Sequence, residues 1–208
     1  MGLRSFAVML VTVTGLSAGT VVPYSVDPGA TAGDAFNFDQ INITSNDAMV
    51  TSGFDVRDMF GGAFGSAAPG QSIFYDDPGV AHTYQVSFTT NSSINLPGYS
   101  LYLDEGGGSR QVTRFQLFAG GNLISDVQVL TSGSYASTYG SRFIVVSDSF
   151  PGVTATQFQA VFYGNTATFN GPRVIELDAA TPEPATFGLF ALGGLGMLFR
   201  SRYRRSRA

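Results

Sequence analysis

Apolar and polar residues alternate along most of the middle of this chain, and that alternation constrains the fold more than any other feature. Tyr84, Val86 and Phe88 share one parity, and Gln85, Ser87 and Thr89 share the other. Successive side chains of a strand point to opposite faces, so such a stretch buries one face and wets the other. The pattern returns in Tyr99, Leu101 and Leu103, in Phe115, Leu117 and Ala119, in Val127 and Val129, and in Phe143 and Val145. It returns again in Phe158, Ala160 and Phe162, with Gln157, Gln159 and Val161 opposite, and in Ile175 and Leu177. Nearer the start, Phe36-Asn37-Phe38 and Ile41-Asn42-Ile43 alternate with a slip at Gln40, which reads as a bulge. Turn chemistry separates these runs at Asp77-Pro78-Gly79, Leu96-Pro97-Gly98, Gly106-Gly107-Gly108, Gly120-Gly121-Asn122, Pro151-Gly152 and Asn170-Gly171-Pro172. The fold predicted is all-β: roughly eight or nine short strands in a two-sheet sandwich, best read as a jelly roll. Residues 20–35 read as a flexible lead, 36–180 as the sandwich, and Asp58–Gly70 as a long loop within it.

The core of such a sandwich must come from aromatic and branched side chains. The chain has 18 Phe and 9 Tyr but no Trp, and without Cys it has no disulfide framework. Its basic residues are all arginine, and five of the 11 lie in the last nine positions. Between Arg4 and Arg200, five arginines face 15 acidic residues, so that stretch carries a charge of −10. A phosphate-binding surface has to be basic, which excludes nucleic acid as a partner. The acidity reads as a solvated surface or, in part, as calcium binding.

Both ends carry addresses. Arg4, the apolar run Phe6–Leu16 and the small residues Ser17, Ala18 and Gly19 make a secretory signal peptide over residues 1–19. At the other end, residues 181–208 hold Thr181-Pro182-Glu183-Pro184, then the uncharged run Phe187–Phe199, then Arg200, Arg202, Arg204 and Arg205. The prolines break the tail from the domain. The apolar run is predicted to enter the inner membrane as an anchor helix, and the arginines stop transfer and stay cytoplasmic. The run has 13 residues, short of the roughly 20 that a full span takes, so snorkelling arginines would have to help.

The order Pro-Glu-Pro, apolar helix, arginine cluster resembles the PEP-CTERM sorting signal. That resemblance implies processing near Pro182-Glu183-Pro184 by an exosortase, an integral-membrane transpeptidase-like enzyme. It also implies release to the surface or matrix of a Gram-negative bacterium that makes exopolysaccharide. A second resemblance lies in the domain itself. Val112–Phe118, Phe158–Phe162 and Arg173–Leu177 are similar to the later strands of galactose-binding-like jelly rolls. In that superfamily a late Glu, here Glu176, helps hold a structural calcium, and loops at one end bind sugar.

Catalytic chemistry is sparse. A Cys–His nucleophile is impossible, and the lone His82 has no clustered ligands for zinc. No Gly-x-Ser-x-Gly elbow marks a serine, and Gly106-Gly107-Gly108 does not open a helix as a nucleotide loop would. Asp76-Asp77 and Asp104-Glu105 are adjacent pairs beside turns, where carboxylates and free carbonyls suit calcium. Tyr135 and Tyr139 sit in a polar segment between strands and are candidates for stacking on a sugar, or for packing beneath the loop. Three readings stay open: a structural or adhesive surface protein acting with exopolysaccharide, a carbohydrate-binding module, and, least favoured, a secreted hydrolase.

Overall fold

A computed structural model describes residues 19–23, 34–46, 49–50, 55–60, 72–75, 83–106, 110–164 and 171–179. The signal peptide, most of the lead, Asp76, Asp77, His82 and the sorting tail lie outside the described residues. The strands in chain order are β1 Thr20–Pro23, β2 Ile41–Asn46, β3 Met49–Val50, β4 Ser72–Tyr75, β5 Thr83–Asp104, β6 Val112–Ala119, β7 Asn122–Gln128, β8 Phe143–Gly164 and β9 Arg173–Ala179.

Two of these strands, β5 and β8, are 22 residues long and run antiparallel to one another from end to end. Their register breaks between Thr89 and Ile94 and again between Leu96 and Gly98. Before the breaks, β5 pairs with β2 on one side and with the far half of β8 on the other, and that half of β8 pairs with β6, which pairs with β7. After the breaks, β5 pairs with β9 and with the first half of β8, which also carries β1. One ribbon therefore belongs to two sheets: β2–β5–β8–β6–β7, and β4–β9–β5–β8–β1 with β3 added beside β4. The predicted all-β sandwich is what the chain forms.

The sheets meet face to face. The ring of Tyr99 in the second sheet lies edge-on to Phe115 in the first, with centroids 5.1 Å apart. Tyr99 OH and Ser125 Oγ of β7 are 3.0 Å apart, and Ser125 Oγ donates to Asp148 Oδ2 of β8 at 2.6 Å. This chain satisfies the hydroxyls that would otherwise be stranded in the core. Phe36, Phe60, Phe88 and Phe158 close one end, Phe36 meeting Phe88 and Phe158 at 5.1 Å each. Among the described residues the buried apolar side chains run from Phe36 to Ala179.

Several local expectations are corrected. Leu96-Pro97-Gly98 and Pro151-Gly152 are not chain reversals; they oppose each other inside the ribbon, where it bends. A proline withholds a ladder hydrogen bond, and two of them at one place suit a break in register better than the middle of a sheet. Phe36 belongs to a turn, and Phe38–Gln40 is a 3-10 turn rather than a strand. The bulge of β2 falls between Ile43 and Ser45, not at Gln40. Phe143 and Val145 face outward; Ile144 and Val146 fill the core. Met59 and Phe60, within the stretch read as a long loop, are fully buried. Thr20–Pro23, at the start of the predicted lead, is an edge strand.

Gly98 leaves no room for a side chain at the bend. A Cβ there would lie 2.4 Å from the carbonyl oxygen of Asp148, a backbone atom that cannot swing aside. Gly98→Ala should destabilise the domain by about 1–3 kcal/mol, the usual cost of overpacking. A lowered urea midpoint at unchanged slope is the expected reading, and an unchanged midpoint would mean that the two long strands do not approach so closely at the bend.

Candidate functional site

Of the two acid pairs singled out in the sequence, Asp104-Glu105 converges with Tyr135 and Tyr139 at the end of the sandwich where β5 finishes and β6 and β8 begin. A short helix, α1 Tyr135–Tyr139, sits there. Ser134 and Ser137 cap its start reciprocally, and Gly140 ends it with φ 75°, a left-handed conformation that suits glycine. Glu105 Oε2 accepts the Tyr135 N–H at 2.6 Å and the Ala136 N–H at 3.2 Å, placing a carboxylate where the helix leaves its amides bare. Tyr135 is fully buried; its hydroxyl accepts from the Val112 N–H at 2.6 Å and donates to the Val112 carbonyl at 2.8 Å. Tyr139 OH donates to the Val129 carbonyl. Tyr135 is thus a bolt between α1 and β6, not a loop tyrosine offered to a sugar, and the hydroxyl of Tyr139 is engaged as well.

Asp104 is buried and held by two arginines. Arg142 grips it through Nε at 3.0 Å and Nη2 at 2.8 Å, Arg173 Nη1 reaches it at 2.9 Å, and the Gly106 N–H donates at 2.9 Å. Burial pushes its carboxyl upward, but the hydrogen bonds from Arg142, Gly106 and Arg173 outweigh that and hold it below the usual carboxylate range. Both oxygens of Asp104, and Oε2 of Glu105, are therefore engaged within the protein. Glu176 is fully buried on β9, paired with Tyr102. Calcium takes six to eight oxygens, and among the described residues no three acidic or histidine side chains gather to supply such a set.

A carboxylate that sequence reasoning missed is Asp34. Its Oδ1 accepts the N–H of Phe36 at 2.9 Å and the N–H of Ala179, the last residue of β9, at 2.7 Å. Asp34 therefore fastens the start of the domain to its final strand. Burial, with a further push from Asp178, raises its pKa to about 7 despite those two hydrogen bonds. Residue spacing carries no signal for this contact, because it spans 145 positions.

The outer face of the first sheet holds an open depression framed by polar groups. Cross-strand register sets Ser45, Ser87, Gln159, Phe118 and Leu123 side by side across β2, β5, β8, β6 and β7. The next row holds Gln85, Val161, Gln116 and Asp126. The two rows differ. Gln116 and Val161 are buried at 8% and 5% exposure although they lie on the outer face. Over this half of the sheet, Arg114 Nε donates to Asp126 Oδ1 at 2.7 Å, Gln116 Nε2 donates to Asp126 Oδ2 at 3.0 Å, and Tyr163 OH donates to Gln116 Oε1 at 2.8 Å. On the other half a groove of about 480 Å³ stays open, lined by Thr44, Ser87, Thr89, Phe118, Gln157 and Gln159. The alternation had put Gln85, Ser87, Thr89, Gln157 and Gln159 on a polar face; only strand pairing shows that Ser87, Thr89, Gln157 and Gln159 share one groove.

The sandwich resembles those of solved family 32 carbohydrate-binding modules. It resembles the module of NanJ from C. perfringens, solved in complex with galactose, with a TM-score of 0.51 at 10% identity over 70% of this chain and 97% of that one. It resembles the CBM32-1 and CBM32-2 domains of ZmpB from C. perfringens with a TM-score of 0.54 at 11% identity, over 80% of this chain and 43% of that one. A longer ZmpB structure that adds the M60 catalytic domain matches with a TM-score of 0.52 at 10% identity, over 84% of this chain and 18% of that one. At such identities the likeness is one of fold. No protein of curated function matches the sequence. The tail, residues 180–205, matches the PEP-CTERM protein-sorting motif. That motif marks an exported protein, anchored in the membrane for a time and then processed.

Two carboxylates give opposite pH signatures. Asp34 is protonated in the folded state below about pH 7 and ionised in the unfolded chain above about pH 4. Stability should therefore fall as pH rises from about 4 to 7, by up to about 1.4 kcal/mol per unit, and Asp34→Asn should flatten that slope. Asp104, with its lowered value, contributes stability above about pH 4 that is lost as pH drops further. Asp104→Asn should cost about 3 kcal/mol near neutrality, the low end for a broken buried pair, because Arg142 can still reach water. Urea midpoints at several pH values for the two variants check both signs.

Proposed function

We propose that this chain is a surface or extracellular-matrix protein with a structural or adhesive, non-catalytic role alongside exopolysaccharide. After export, residues 187–199 hold it briefly in the inner membrane, with Arg200, Arg202, Arg204 and Arg205 on the cytoplasmic side. An exosortase-type enzyme then processes it near Pro182-Glu183-Pro184. The observation that carries this reading is the sorting motif at 180–205, which begins directly after β9, the last described strand of the sandwich. The buried apolar residues among those described all precede residue 180, so a deletion of 180–208 removes none of them. The deletion should divert the protein from the processed surface fraction, and the mature form of lower mass should vanish. Unchanged fractionation and mass would overturn the proposal.

A carbohydrate-binding module is the second reading. The groove on the first sheet favours it, as does a fold shared with such modules. Any structural calcium we assign to the segment of Asp76 and Asp77 rather than to Asp104 or Glu105. Calcium should then raise the melting temperature relative to chelator, and the double change Asp76→Asn, Asp77→Asn should abolish that rise. Coincident curves for the unaltered chain in calcium and in chelator would dismiss the assignment.

A further inference from the structure

The groove on the first sheet is uncharged in a chain that is strongly acidic. Thr44, Ser87, Thr89, Gln157 and Gln159 line it, and Phe118 provides an aromatic wall. Each of the five polar groups both donates and accepts hydrogen bonds, as a sugar hydroxyl does. A cationic peptide would find no carboxylate among these side chains, and an anionic chain would find no arginine. Gln159 is held in place, its Nε2 donating to Gln85 Oε1 at 3.0 Å and to Ser87 Oγ at 3.3 Å. With both N–H groups engaged, its carbonyl oxygen remains to accept from a ligand. Phe118 is half-buried beside Leu123, which is 38% exposed, and the two make a small apolar shelf. The C–H face of a sugar ring suits such a shelf.

The length also fits a chain rather than a single small molecule. From Thr44 on β2 through Ser87 and Gln159 to Phe118 on β6 there are three inter-strand steps. At about 4.8 Å a step, the track is about 14 Å long. The volume of about 480 Å³ falls in the range of about 300–1,000 Å³ usual for ligand sites. One flank is walled by the Arg114–Asp126–Gln116–Tyr163 network, so the open strip has a defined edge. A second copy of this chain fits less well, because Phe118 and Leu123 are too little apolar surface for the core of a stable dimer interface.

We infer that this groove binds a neutral polysaccharide, laid across the strands of the first sheet with a ring stacked on Phe118 and its hydroxyls met by Ser87, Thr89, Gln157 and Gln159. The inference rests on the carbohydrate-binding reading and places the site on a sheet face, away from the α1 end of the sandwich.

The test is affinity electrophoresis of the full chain in non-ionic detergent, through native gels containing dextran, galactomannan, xyloglucan or hydroxyethylcellulose, with alginate as the anionic comparison. Retardation is expected in at least one neutral polymer and not in alginate. Phe118→Ala and Gln159→Ala should each weaken it about three- to tenfold. Gln157→Trp, at an exposed position that tolerates bulk, should block the groove and abolish retardation while the melting curve stays unchanged. Retardation that survives all three variants would place the glycan elsewhere, overturning this inference and sparing the carbohydrate-binding reading. Retardation in none of the neutral polymers, or in alginate alone, would overturn both. A mass that doubles with protein concentration and reverts in Gln157→Trp would assign the groove to a second copy and overturn the inference.

Discussion

Everything in this sandwich hangs on the antiparallel pairing of β5 with β8. The two strands share a ladder from Thr83↔Tyr163 at one end to Asp104↔Phe143 at the other. Because the ribbon bends midway, the same ladder serves two sheets that pack on each other. Each neighbour then adds to one half: β2 and β6 on one side of the bend, β9 and β1 on the other. A flat pair of 22-residue strands would expose both faces. The bend at Gly98 and the register breaks turn it into two walls of one core.

The polar groups within the fold follow from that closure. Once the sheets meet, Tyr99, Ser125 and Asp148 have no water and must satisfy one another. At the end of the sandwich, Glu105 takes the bare amides of α1 and Asp104 takes two guanidinium groups. Asp34 is the unusual member. It ties Phe36 to Ala179, and its position keeps a carboxyl poised near neutrality inside the fold. The contact lies at Ala179, one residue before the sorting motif, so the anchored end of the domain is fixed by a side chain from its beginning.

The outer face of the first sheet is divided. One half is sealed by an ion pair, an amide and a tyrosine that bury Gln116 and Val161. The other keeps amides and hydroxyls at the lip of a groove. A sheet that needed only solvation would have no reason to seal one half and leave the other concave. The contrast supports treating the groove as a place where something rests.

By itself the sequence determined whatever depends on local pattern. Alternation placed Tyr84, Val86 and Phe88, and Phe115, Leu117 and Ala119, on the buried side, because a strand has a period of two and these runs mix apolar with polar residues. The sorting tail was equally legible, since a motif, an apolar run and a charge cluster are read along the chain and need no partner. Alternation failed at Phe143-Ile144-Val145-Val146, where every residue is apolar and either parity fits; only pairing with β5 turned Ile144 and Val146 inward. It failed also at Leu96-Pro97-Gly98, since proline and glycine signal a break in the ladder equally well whether the chain reverses or bends. The tertiary structure decided what depends on neighbours distant in sequence. It buried Tyr135 against Val112, gave Asp104 to Arg142 and Arg173, joined Asp34 to Ala179 and brought Ser87, Gln159 and Phe118 into one groove. Those contacts arise from strand register, a property of two chain segments together, and no single segment encodes it.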